Sequence, residues 1–142
     1  MYCILHPMNQ EQLGTEDQLM MASNIFLLSP VIIAGALGEW LYLGLASGIM
    51  ICSPLFHWYR IVGQYSRPYW VFRILDWTFA LAAFAYMYWY VYHHHSSHQV
   101  TLFTLLSVSI IFFWYGWRYG YRAFHPWFHF VAAGVSSIVL LL

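Results

Sequence analysis

The sequence contains no lysine, and charged residues of all kinds make up only 7% of it. An ordinary soluble domain carries about a quarter charged residues, so water is not expected to be the main solvent of this chain. All five basic side chains are arginines, and they do not form the basic patch that nucleic acid binding needs. These absences exclude a separate soluble domain and a nucleic acid partner.

Cysteine is also rare in this chain. Cys3 lies in a polar head and Cys52 lies within an apolar run, far away along the sequence. Neither a disulfide nor a cysteine metal site is therefore expected. The first residues also lack the basic start and the apolar core of a secretory signal, so we expect insertion to depend on the first spanning helix.

Apolar side chains are abundant instead, since 62% of the 142 residues are hydrophobic and 22% are aromatic. One membrane-spanning helix needs about 20 apolar residues, which limits the chain to five or six crossings. The sequence predicts an all-α, polytopic transmembrane bundle of about five helices. We expect a polar segment over residues 1–24 and a single helical domain over residues 25–142.

The apolar run over residues 25–59 is about twice as long as one crossing requires. Gly38, Glu39 and Trp40 interrupt it, which predicts two helices joined by a tight turn. A third helix is predicted at about 74–92, ending in the tyrosines and tryptophan of an interface belt. Residues 93–99 are expected to form a polar loop, followed by helices at about 100–117 and from near 124 to 142.

The arginines are distributed asymmetrically in this arrangement. Alternating crossings place the N-terminus, the loop over residues 60–73 and the loop over residues 118–124 on one face of the membrane, and all five arginines lie there. The positive-inside rule assigns that face to the cytoplasm or its equivalent. The C-terminus is then expected on the opposite face.

Five polar residues occur where membrane-spanning helices are predicted, and titratable residues in such positions indicate function or a specific partner. Ser53 and His57 are four residues apart in SPLFH, and His125 and His129 are four apart in HPWFH. Each pair shares one side of its helix. Asp76 is expected just inside the start of the third helix, and Pro126, in HPWFH, is expected in a first turn. All three segments lie on the arginine face, so we expect these side chains to meet at one depth.

This set of side chains suits a catalytic metal site. Three neutral imidazoles bind zinc and leave its fourth position open to water. Zinc lowers the pKa of that water toward neutrality, and a neighbouring carboxylate such as Asp76 can orient and deprotonate it. Each position taken singly is better explained as a hydrogen-bonded interface residue, whereas the ordered combination of SxxxH, aspartate and HxxxH is much more specific.

That ordered combination resembles the CREST superfamily of membrane metal-dependent hydrolases, which includes alkaline ceramidases, progestin and adipoQ receptors and Per1-like proteins. The resemblance implies that zinc is bound by His57, His125 and His129. It also implies that Asp76 positions the attacking water and that Ser53 supports the metal site or the oxyanion. The implied activity is hydrolysis of a lipid amide, such as a ceramide or another N-acyl lipid. HPWFH followed by FVAAG looks closest to the ceramidase-like branch.

The resemblance leaves a second function open, because the usual family member has seven helices and this chain is expected to have five. Such a shortened chain could be a non-catalytic accessory subunit of a larger membrane complex that keeps a CREST-like fold and the metal as a structural staple. An enzyme needs a cavity beside the zinc for an acyl chain, whereas side chains would cover a staple. A receptor or transporter has little support, since no inverted repeat or broken-helix pair is visible.

A second histidine cluster, HHHSSH over residues 93–98, lies in the predicted loop on the opposite face. No carboxylate or cysteine accompanies it. We interpret it first as a solvated interfacial loop and second as an adventitious metal binder.

Overall fold

The computed structural model describes residues 14–142, and these residues form helices and short turns with no strand among them. A 3-10 turn at Asn24–Leu27 joins the first two helices into one continuous rod. The all-α class is confirmed. The helices are α1 Thr15–Ser23, α2 Leu28–Leu37, α3 Trp40–Ile61, α4 Arg67–His94, α5 Gln99–Tyr119 and α6 Tyr121–Leu141.

Five helical segments are long and apolar enough to cross a membrane: the rod over Thr15–Leu37 and the four helices α3 to α6. The predicted number of about five spans is therefore confirmed for the part of the chain that the structure describes. This architecture fits a multi-pass membrane protein.

The tight turn predicted at residues 38–40 lies between α2 and α3. Gly38 has a φ of 76°, in the left-handed region that glycine adopts without steric cost. The Glu39 N–H then donates to the Ala34 carbonyl at 2.9 Å, which closes the end of α2. Helix α3 begins at the next residue, Trp40, so the two helices return side by side.

The first helix begins earlier than the predicted position near residue 25. It begins at Thr15, and its first turn contains Glu16 and Asp17, which the positive end of the helix dipole favours. The end of the predicted polar segment is thus helical, because polar residues near the interface can continue a helix whose apolar part lies deeper. Residues 1–13 of that segment, including Cys3, lie outside the described residues.

The connections are also shorter than predicted, because polar residues near the interface continue the helices. Helix α4 begins at Arg67 with Pro68 in its first turn, so the loop predicted over residues 60–73 is reduced to residues 62–66. His93 and His94 belong to α4 and not to a loop. Between α5 and α6 only Gly120 lies outside a helix, so Pro126 is inside α6 and the first-turn prediction for it is wrong.

The five spans form a closed ring in which each packs mainly against two neighbours. Going around it, α2 contacts α3, α3 contacts α4, α4 contacts α5, α5 contacts α6, and α6 contacts α2 again. Helix α1 packs against α6 and α3 at one end of the ring. Large hydrophobic side chains remain exposed around the outside, as expected where lipid tails are the solvent. The ring places inward-facing side chains from all five spans around a common centre.

Candidate metal centre

Three histidines from two helices converge in the interior of the ring. His57 of α3 is 1% exposed, and His125 and His129 of α6 are each 3% exposed. Their ring centroids are 4.8–5.2 Å apart, and one ligand nitrogen from each lies within 4.8 Å of the others. The group could therefore hold a metal ion.

Unpartnered nitrogens in this group support that assignment. Nε2 of His57 and Nδ1 of His125 are buried and have no hydrogen-bond partner among the described residues. Leaving a buried polar atom unpaired is costly, and a cation between the rings would use these lone pairs. Ligand nitrogens around tetrahedral zinc, each at about 2.0–2.1 Å from the metal, lie about 3.4 Å apart, so small side-chain rotations would close the site. The donor set fits zinc and other imidazole-binding divalent metals.

Ser23, at the end of α1, fixes the orientation of one histidine. Its Oγ lies 2.8 Å from Nδ1 of His129, and its single hydroxyl proton is donated to the Met20 carbonyl at 2.9 Å. With that proton directed at Met20, the Ser23 oxygen accepts a hydrogen bond from the Nδ1–H of His129. That tautomer leaves the Nε2 lone pair of His129 available to a metal, which is the arrangement that outer hydrogen bonds impose on histidine ligands.

Tyr121, in the first turn of α6, contacts the other two histidines. Its hydroxyl lies 3.4 Å from Nδ1 of His57, and its ring stacks on the His125 ring at 4.2 Å and 16°. The guanidinium carbon of Arg60 lies 3.5 Å from the centroid of the Tyr121 ring. Tyr121 and Arg60 therefore cover one side of the histidine group.

The carboxylate and hydroxyl predicted for the site lie beside the histidines. Asp76 is 8% exposed and Ser53 is 1% exposed, and their side chains interact. Both line the same cavity as His125 and His129. Asp76 lies well inside α4 and not just after its start as predicted, because α4 begins at Arg67.

The cavity has a volume of about 200 Å³ and lies at the centre of the ring. Its polar end is formed by Asp76, Ser53 and two of the histidines, and most of its remaining wall is apolar. Eleven residues along α4 separate Asp76 from Met87, which also lines the cavity, and this spacing corresponds to about 16 Å of helix. Half of a hydrocarbon core of about 30 Å is about 15 Å. The cavity is therefore about as long as one lipid leaflet is thick.

The wall of the cavity reaches the outer surface between α4 and α5. Leu81 of α4 and Ile110 of α5 both line the cavity, and both are also exposed on the outside, by 68% and 44%. A lipid tail in the membrane could enter the cavity at this position.

An ion pair joins α1 to α6 close to the histidines. Nε of Arg122 lies 3.4 Å from Oδ1 of Asp17, and Asp17 is 4% exposed. Because Asp17 and Ser23 belong to one helix, this pair supports the position from which Ser23 reaches His129. Sequence reasoning missed both residues by placing them in the polar head.

Tyr121 was missed as well, because the predicted helix began only near Phe124. The residues Tyr121, His125 and His129 follow one another at intervals of four, which is the spacing of one helical face. This pattern would have identified Tyr121 had the helix been extended by one turn.

The HHHSSH segment forms no comparable group. His93, His94 and His98 are exposed, whereas His95 is buried. Within residues 14–142, His57, His125 and His129 form the one group with metal-ligand spacing. The rings of His93 and His94 pack instead against Trp89 and Tyr90 of their own helix.

Comparison of the chain with protein-family models, curated proteins and solved structures finds no match. The resemblance to the CREST superfamily therefore rests on the motif residues alone.

Proposed function

We propose that this protein is a zinc-dependent, ceramidase-like amidohydrolase that acts on membrane lipid amides. One observation carries the proposal: a buried three-histidine group and a carboxylate form the polar end of an apolar cavity about one leaflet long. The polar end suits an amide and the apolar remainder suits its acyl chain.

His57, His125 and His129 would hold the zinc, with Ser23 and Tyr121 orienting the rings of His129 and His57. When bound, zinc supplies a Lewis acid that polarises a carbonyl and increases the acidity of a water. Buried and neutral imidazoles retain the lone pairs that this role requires.

Asp76 is the proposed general base. It accepts a proton from water as the water oxygen bonds to the amide carbonyl carbon, and it returns that proton to the nitrogen as the carbon–nitrogen bond breaks. The products are a fatty acid and an amine. Ser53 interacts with Asp76 and would hold the carboxylate in the orientation that this transfer needs.

The acyl chain would occupy the cavity with its amide at the histidine end. Alanines line part of the path, at Ala46, Ala80, Ala132 and Ala133, and their small side chains leave a smooth channel for a hydrocarbon. The substrate would enter from the membrane between Leu81 and Ile110, so it would not have to pass through water.

The alternative is an accessory subunit in which the metal serves as a structural staple. A staple has no need of an adjoining cavity, so the open apolar space beside the histidines favours the enzyme. Membrane lipids are the expected partners of an enzyme, and other membrane subunits are the expected partners of a staple.

The two functions differ in the effect of Asp76→Asn. We expect purified wild-type protein to contain zinc and to hydrolyse at least one lipid in a panel of ceramides and other N-acyl lipids. Asp76→Asn should retain the zinc and lose about a hundredfold or more in turnover, the contribution of a positioned base. Glu16→Gln, which removes an exposed carboxylate from α1, is the control and should keep full activity. No turnover of any lipid by zinc-loaded wild type would reject the enzyme in favour of the subunit.

A further inference from the structure

A second recess lies at the opposite end of the bundle from the histidines. Glu39, Trp40 and Leu41 form one side, and Ala85, Tyr86 and Trp89 of α4 form the other. Trp40 is 73% exposed and Trp89 is 50% exposed. Eighteen residues separate Glu39 from His57, or about 27 Å along α3, so the recess and the metal centre belong to opposite leaflets.

The carboxylate of Glu39 is held in the recess by a tyrosine hydroxyl and not by an ion pair. The Tyr86 hydroxyl donates to Oε2 of Glu39 at 2.6 Å, and the Tyr90 side chain interacts with the same carboxylate. No arginine or histidine forms an ion pair with Glu39 within residues 14–142. A neutral hydroxyl thus holds a carboxylate that has no cationic partner among these residues.

An oriented carboxylate beside tryptophan and tyrosine rings has the chemistry that binds quaternary ammonium groups. Such cations lie over aromatic faces and are attracted by the ring quadrupole. A primary ammonium instead needs acceptors for three N–H groups. The recess offers one carboxylate, whose Oε2 already accepts from Tyr86, and aromatic rings, which are poor acceptors. Trp and Tyr are enriched at the headgroup level of a membrane, where choline is the quaternary ammonium carried by lipids.

We propose that the recess formed by Glu39, Trp40, Tyr86 and Trp89 binds the choline headgroup of a phospholipid in the leaflet opposite the metal centre. An ordinary aromatic belt would also contain Trp and Tyr at this depth. A belt, however, needs no carboxylate and does not distinguish choline from ethanolamine.

Native mass spectrometry of the detergent-purified protein can test this proposal. Phosphatidylcholine, phosphatidylethanolamine and phosphatidylglycerol with identical acyl chains would be titrated separately, and the dissociation constant of the first bound lipid compared. We expect wild type to bind phosphatidylcholine about five- to tenfold more tightly than phosphatidylethanolamine, in the range of a partly desolvated cation–π contact. Glu39→Gln and Trp89→Leu should each remove most of that preference.

Two matched control variants test whether the lipid preference depends on the recess. Trp114→Leu removes a tryptophan that is 58% exposed on α5, and Glu16→Gln removes a carboxylate at the other end of the molecule; both should keep the preference. If Trp89→Leu does not fold, Trp40→Leu replaces it. Equal binding of the two zwitterionic lipids by wild type, or an unchanged preference in both Glu39→Gln and the tryptophan variant, would overturn the proposal. Full competition by millimolar free choline would show a soluble ligand and would equally reject the lipid headgroup.

Discussion

The two ends of the bundle each carry a group of histidines, and the comparison shows what allows one of them to hold a metal ion. At one end, His57 and His129 are distant in sequence but converge in the interior. At the other, His93, His94 and His98 are close in sequence but point outward around a helix end and a turn. Adjacent residues on a helix face different directions, so proximity in sequence works against convergence here. Convergence results from the spacing by four on α6 and from the ring, which directs His57 of α3 toward the same centre.

The largest expected effect is the loss of bound metal when one of the converging histidines is removed. We expect His57→Ala, His125→Ala and His129→Ala each to lose the bound metal almost completely, because two imidazoles cannot complete the site. His94→Ala and His98→Ala should retain about one metal ion per chain. Elemental analysis of the purified variants measures this directly, and full occupancy in His129→Ala would contradict the assignment.

Ser23→Ala should lower the metal affinity of the same histidine group by an intermediate amount. Loss of an outer hydrogen bond to a histidine ligand costs about 10–100-fold in metal affinity. Ser29→Ala is the matched control, because Ser29 also donates to a carbonyl three residues earlier but does not contact a ligand. Competition with a chelator gives the affinities, and Ser23→Thr, which keeps the hydroxyl, should restore most of the loss. Equal affinities for Ser23→Ala and wild type would mean that this hydrogen bond does not orient His129.

Filling the cavity should reduce lipid hydrolysis without removing the metal. Ala132 lines the cavity one turn after His129, so the larger side chain of Ala132→Phe would occupy the space assigned to the acyl chain. We expect metal content to be retained while turnover of N-acyl lipids falls by about tenfold or more, since a misplaced substrate loses its alignment with the catalytic groups. Ala36→Phe, on the exposed face of α2, should have little effect. If Ala132→Phe is as active as wild type, the cavity does not bind the substrate.

Gly116→Ala should have the smallest effect, a loss of stability caused by crowding against the backbone of α6. A Cβ at Gly116 would lie 3.2 Å from the backbone nitrogen of His125, which forces α5 and α6 slightly apart. Overpacking of this kind costs about 1–3 kcal/mol. Gly134→Ala, where a Cβ meets nothing within 4 Å, should be neutral or slightly stabilising. Thermal unfolding in detergent, followed by circular dichroism, compares the two variants, and equal midpoints would show that α5 can move without cost.

The helical class, the number of spans and the turn at Gly38 could be predicted because each depends on local composition. Long apolar runs specify spans, and a glycine between two such runs specifies a break. The i, i+4 pairs could also be predicted, because Ser53 and His57 share one face of their helix regardless of which helices pack against it. The start of the first helix at Thr15 was missed because the prediction followed hydrophobicity, and polar interface residues continue a helix without changing that signal.

Ser23 could not have been identified from the sequence. Its role depends on α1 packing against α6, and no periodic pattern links a single serine to a histidine 106 residues later. The recess around Glu39 depends in the same way on the pairing of α3 with α4, which brings Tyr86 to the turn. Local rules give the helices, whereas the partners of polar side chains follow only from which helices are neighbours.

The hydrogen bond between Ser23 and His129 also has a consequence for the order in which the molecule is completed. A ribosome adds about 5–20 residues per second, so the 106 residues between these two side chains correspond to roughly 5–20 s of synthesis. During that interval the histidine and the arginine that Ser23 and Asp17 contact have not yet been made. A metal ion held by all three histidines could therefore bind only after α6 has been made, so its binding would report that the ring has closed.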